Sequence, residues 1–240
     1  MSYEVSFFII ILQEAFNKYY IIFIYILQQA EQCDPYMANA TFDLNNLHED
    51  QALITQIKSG NYDAFTHLYN KYVRQLTQYG LKFNVDLPVI QDCLHDVFVW
   101  LWTNRYKLTI HHSVKSYLFK SVRTSILHTL EKKNKLRPLH PEEGNEYSFE
   151  LELSPETLML QNEDRKQTRE QIESLLHKLT AKQKEVIYLR YYEGLNFEDI
   201  AQNMNLSVKA SYKLMGRAIA TLRENMPGSR VLLLVLLHLH

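Results

Sequence analysis

Asp92, His95 and Asp96 stand within DCLHDVFVWLW, residues 92–102, a stretch that also holds both tryptophans of the 240-residue chain. Two carboxylates four residues apart share one side of a helix, and with a histidine beside them they could divide general acid and base work. Such work needs companions: a nucleophile, a metal-ligand cluster or a glycine-rich phosphate loop. The sequence offers none of these in a recognisable arrangement. On a helical wheel Leu94, Val97, Phe98 and Leu101 share the core face, while Asp92, His95, Asp96 and Val99 point away, with Trp102 and Trp100 at the two boundaries. Acidic groups rimmed by aromatic surface fit a protein–protein contact, because aromatic side chains are enriched at interface hot spots. The expected role is docking rather than catalysis, with no cofactor, metal or small-molecule substrate.

A second group is basic. Between Arg105 and Arg137 lie Lys107, Lys115, Lys120, Arg123, Lys132, Lys133 and Lys135, opposed only by Glu131. Cations of this kind hold phosphates, and the interleaved Tyr106, Tyr117 and Phe119, with His111 and His112, are rings on which unpaired bases can stack. A solvated charged face, with Tyr117 and Phe119 in the core, is the competing reading.

The third group is NFEDIAQNMNLSVKASYKLMGRAIATLRE, residues 196–224. Phe197, Ile200 and Ala201 give a short helix an apolar stripe, Asn203 to Leu206 supply a turn, and the Ser207 hydroxyl is placed to cap the next helix. Ser211, Met215, Ala218, Ile219 and Leu222 then fall inward, while Lys209, Tyr212, Lys213 and Arg217 fall outward. Small Ala201 permits the close approach that a helix-turn-helix needs. The outward set suits a recognition helix, whose first turns reach base edges in the major groove while cations hold phosphates. An ordinary helical hairpin with a basic face is the competing reading here.

Helices must position these groups. Gly and Pro number only six each, too few for the turns of a many-stranded fold. Apolar residues recur at three- and four-residue spacing from 49 to 79, Gly60-Asn61 marks a turn, and Pro88 opens the helix that carries 92–102. Another helix spans 115–134. From Pro138 to Pro155 the chain reads PLHPEEGNEYSFELELSP, an acidic linker with little to build a core. Helical periodicity returns near Leu158 and runs to Met226; within it Gly194 is a plausible C-cap. The expectation is an all-α protein of two small domains, 49–137 and 158–226, joined by a flexible acidic linker over 138–157.

Net charge of −1 provides no global positive field, so any nucleic-acid site must come from local segregation. Two cysteines suit a reducing cytoplasm. Residues 1–48 form an N-terminal extension whose runs SFFIIIL and YYIIFIYIL are each shorter than the ~20 apolar residues of a membrane span. Met37 is the expected translation start. The tail over 227–240 ends in VLLLVLLHLH, also too short to span, and nothing in the sequence assigns it a task.

Taken in order, DCLHDVFVWLW, the basic YLFKSVRTSILHTL, the acidic linker and LTAKQKEVIYLRYYEGLNFEDIAQNMNLSVKASYKLMGRAIATLRE resemble a bacterial RNA polymerase sigma factor of the sigma-70 family, extracytoplasmic-function group, which retains regions 2 and 4. The resemblance covers about 49–225. It implies that Asp92, His95, Asp96, Val99 and Trp102 bind core polymerase, with His95-Asp96 where the family usually has Gln-Glu. It implies −10 DNA contacts from Arg105, Lys107, Lys115, Lys120, Arg123 and Thr124. Arg123 stands at a family arginine, whereas Thr124, His128 and Glu131 replace a common asparagine, aspartate and arginine, so −10 preference does not transfer. Ser207, Lys209, Tyr212, Lys213 and Arg217 match the −35 recognition helix; Asp199 replaces the usual glutamate of that motif, and Thr180 stands where proline is frequent. The implied partners are core RNA polymerase, promoter DNA and an anti-sigma factor at the inner membrane. Two rival readings are a helix-turn-helix regulator that binds duplex DNA without polymerase and a membrane-associated adaptor.

Overall fold

The computed structural model describes residues 40–110, 113–136, 147–151 and 173–224. The apolar runs before Met37, His111 and His112, most of the acidic linker and the C-terminal tail lie outside the described residues. Every regular element among the described residues is helical, and none of these helices is long and apolar enough to cross a membrane.

The N-terminal body holds four helices: α1 (Ala40–Lys58), α2 (Tyr62–Leu81), α3 (Leu87–Thr103) and α4 (Val114–Leu136). The α1 helix begins upstream of residue 49, and over its whole length its apolar residues are hardly gathered on one face. Gly60 ends it at φ +89°, and Asn61 starts α2 by accepting hydrogen bonds from the N–H groups of Asp63 (2.9 Å) and Ala64 (3.2 Å). Those two donors belong to the first turn and have no partner within the helix, which is why an Asx side chain sits there. Along α2 the buried residues Ala64, Leu68, Tyr72, Leu76 and Tyr79 repeat every three or four positions. They meet Ile90, Cys93, Leu94, Phe98 and Leu101 of α3, and Val114, Leu118, Phe119, Val122 and Ile126 of α4. Full burial of each large apolar side chain contributes about 1.5–3 kcal/mol, so this seam fixes the helix order.

Asp50 ties α1 to α2: it is buried, accepts from the Tyr72 hydroxyl and pairs with Lys71 at 2.8 Å.

The C-terminal body follows a short helical stretch at 173–177. Thr180 and Gln183 form a reciprocal capping box at the start of α5 (Ala181–Ile187), so a threonine does the start-signalling that proline does elsewhere. A π-helical turn, Tyr188–Tyr192, carries the chain to Gly194 at φ +68°, a left-handed position that glycine takes without a Cβ clash. Asn196 caps α6 (Phe197–Met204) by accepting from Asp199 N–H at 2.7 Å. Asn205 then turns left-handed at φ 56°, and Ser207 Oγ accepts from Ala210 N–H at 3.2 Å to open α7 (Val208–Glu224).

The two bodies share one core. Tyr79, in contact with Phe83 and Phe119 of the N-terminal body, stacks on Tyr188 of the C-terminal body, and Phe149 of the linker packs against Tyr79, Phe83 and Tyr188. Within YSFEL the rings of Tyr147 and Phe149 turn inward while Ser148 faces solvent. The glutamate-rich composition of the linker gives no notice of this packing.

Candidate nucleic-acid interface

On α3 the outward residues are Asp92, His95, Asp96 and Val99, all exposed, joined by Trp100 at 53% exposure. Trp102 is half-buried against Phe65 and Tyr62, with ring centroids 5.1 and 5.8 Å away. Val97, expected in the core, is only partly covered, and Cys93 takes its place on the buried face. A strip with carboxylates at its centre and aromatic rings on its rim is therefore open to a partner.

At the end of α3 the chain folds back through a 3₁₀ turn, Arg105–Lys107. The Arg105 guanidinium lies between the rings of Trp102 and Tyr106, at 4.5 and 4.3 Å from their centroids, and donates to the Trp102 carbonyl at 2.7 Å. This stack leaves the Tyr106 ring 70% exposed. Lys107 is exposed next to it. Tyr117 is half-buried and Phe119 lies fully in the core, so of the five rings offered for base stacking Tyr106 is the one that stands in solvent among the three described.

Three basic residues of α4, Lys115, Lys120 and Arg123, contact the C-terminal body. Lys115 Nζ pairs with Glu193, 2.9 Å from its carboxylate and 2.7 Å from its carbonyl. Lys120 reaches Gln202 at 3.4 Å. Arg123 is buried and forks onto Glu185: Nε lies 2.7 Å from Oε1 and Nη2 lies 3.2 Å from Oε2. Thr124, the next residue, is exposed and returns its hydroxyl to the Lys120 carbonyl.

Glu185 is the centre of this junction. It also accepts from the hydroxyls of Tyr79, at 2.6 Å, and of Tyr147. Burial alone would lower the Arg123 pKa, but the Glu185 charge in direct contact outweighs it and raises it. Burial, reinforced by the same carboxylate, pushes the Tyr79 and Tyr147 phenols well up. A carboxylate on the apolar side of α5 was the one legible sign of this centre, since a buried charge demands a cation; the partner across the fold was not legible. Around it Ser113 donates to Asp199 at 3.2 Å, and Asn203 Nδ2 donates to Ser116 Oγ at 3.0 Å.

The α6 and α7 helices are joined by a three-residue turn, with Ala201 buried at their approach and Ser211 donating across it to the Phe197 carbonyl at 3.3 Å. Met215, Ala218 and Leu222 are buried as the spacing predicts, and Ile219 is half-buried at the margin. Lys209, Lys213 and Arg217 are exposed along one outward face, and Ser207 is exposed at its start. Tyr212 departs from them: its ring stacks on Phe197 with centroids 3.9 Å apart, and Arg190 lies over the other ring of that pair at 5.2 Å. It is half-buried and braces the turn as much as it presents a side chain.

The sequence pattern of the family described as sigma-70, region 4 matches residues 169–222. Among solved structures, CnrH in complex with the cytosolic domain of CnrY is similar at 23% identity and a TM-score of 0.48, covering 73% of this chain and 96% of that one. No curated protein matches the chain. Residues 169–222, the span that contains α5, α6 and α7, are thus similar to that family.

Proposed function

We propose that the protein is an RNA polymerase sigma factor that binds core polymerase and directs promoter-specific initiation. The observation that carries this is the region 4 match, laid over a helix pair whose outward face presents Lys209, Lys213 and Arg217 beside the exposed Ser207. Cations and a hydroxyl along the first turns of the second helix are what major-groove reading requires. In this reading α7 reads the −35 element, and the N-terminal body docks on polymerase through Asp92, His95, Asp96, Val99 and Trp102. The same body reads and melts the −10 element through Arg105, Lys107 and the α4 residues Lys115, Lys120, Arg123 and Thr124. The exposed Tyr106 ring beside Arg105 adds a surface on which an unstacked base can lie. An anti-sigma factor at the inner membrane is the proposed regulator and the cytoplasm the proposed compartment.

Footprinting tests the division of labour. The chain with core polymerase should protect two separated promoter segments. Protection by the chain alone, unchanged by polymerase, would instead establish an independent helix-turn-helix regulator.

A further inference from the structure

We propose that the described conformation is a self-inhibited one, in which the linker segment 147–151 clasps the two bodies together and the C-terminal body occupies the basic face of α4 that nucleic acid would otherwise take. The inference rests on the proposed sigma reading for what α4 binds, but its physical content is intramolecular. Three cations of α4 are engaged by one surface: Lys115 by Glu193, Lys120 by Gln202 and Arg123 by Glu185. Two carboxylates thus stand where phosphates would, and a bidentate carboxylate is the closest protein mimic of a phosphate for a guanidinium. Arg123 is 8% exposed, so no phosphate reaches it without separation of the bodies.

The clasp is built into the linker. Glu150 donates its backbone N–H to the Lys82 carbonyl at the end of α2, 2.7 Å away, and pairs its carboxylate with Lys184 of α5 at 2.7 Å. One residue therefore holds both bodies. Beside it Tyr147 donates to Glu185 and receives a hydrogen bond from Arg123 at 3.2 Å, while Phe149 packs against Phe83 and Tyr188. Removing the clasp exposes this aromatic surface and leaves the bodies joined by fewer contacts.

A closed form that predominates weakens binding by the fraction that is open; where about one molecule in ten is open, full opening tightens binding about tenfold. The test uses the full chain and two readouts: the radius of gyration by small-angle scattering, and the affinity for a fluorescent single-stranded DNA of random sequence at fixed salt. Glu150→Lys, on the partly exposed rim, and the linker pair Tyr147→Ala with Phe149→Ala should each enlarge the radius and tighten DNA binding by about tenfold. Adding Lys184→Glu to Glu150→Lys restores the charge pair and should return both values toward wild type. A radius unchanged in both variants overturns the clasp. An enlarged radius with unchanged DNA affinity overturns the inhibition. Core-dependent transcription by the wild-type chain is read separately, so the sigma reading and the clasp stand or fall on different measurements.

Discussion

The guanidinium of Arg123 in α4 and the carboxylate of Glu185 in α5 meet in a two-point contact at 2.7 and 3.2 Å, inside the seam between the two bodies. The Glu185 side chain has no exposure, and the hydroxyls of Tyr79 and Tyr147 complete its coordination. A residue that the family resemblance places on promoter DNA is thereby satisfied from within the chain.

Removal of either partner of this pair leaves the other buried without compensation. Arg123→Ala and Glu185→Ala should each lower stability by about 3–5 kcal/mol in urea unfolding. The double variant should lose less than the sum, with a coupling of roughly 1–3 kcal/mol. Strict additivity would show that the two do not act as a pair.

Alkaline pH should weaken the fold. Burial first, then Glu185 for Tyr79 and Tyr147 and Glu193 for Tyr188, raises these phenols above their ordinary value. The folded chain keeps protons that the unfolded chain releases from about pH 10 upward. The unfolded state then binds fewer protons, so stability is whole below that pH and falls as pH rises beyond it. The urea midpoint should be flat from about pH 7 to 9 and drop above about 10, and Tyr147→Phe should shallow the drop. A wild-type slope that Tyr147→Phe leaves unchanged would remove Tyr147 from the account.

Lys213→Ala and Arg217→Ala should each reduce promoter use by about 1–3 kcal/mol if the side chain reads a base, and the chain should stay folded by circular dichroism. Tyr212→Ala should behave differently. Its stacking on Phe197 is worth about 0.5–1.5 kcal/mol, so that variant should lose thermal stability as well. Undiminished promoter use in both cation variants would place the reading face elsewhere on α7.

Asp96→Lys reverses charge at the middle of the exposed α3 strip without touching the core. Binding to core polymerase should weaken by about tenfold, mainly through association rate, while the chain unfolds at its usual midpoint. Equal affinity for wild type and variant would move the docking surface off α3.

Sequence period revealed the helices well, because their buried residues repeat every three or four positions. Met215, Ala218 and Leu222 on α7 were read directly. The cap at Ser207 followed from its side-chain type, whereas the turn expected over Asn203 to Leu206 begins only at Asn205, because Asn203 and Met204 are buried in the last turn of α6. The start of α1 was not legible, since the apolar residues of Ala40–Lys58 are hardly gathered on one face of the helix. Nor was the seam between the bodies. Glu185 and Arg123 are 62 positions apart, and no local pattern pairs them. Tyr147 and Phe149 sit among glutamates that masked two inward rings. On the face of α4, Lys115 and Arg123 read as cations for phosphate because their partners belong to the other half of the chain.

Run-off transcription is the most direct test of the central claim. Purified chain added to sigma-free core polymerase and a promoter library, with any anti-sigma partner absent, should yield discrete transcripts that core alone does not make. An absence of both transcripts and core association would contradict the account.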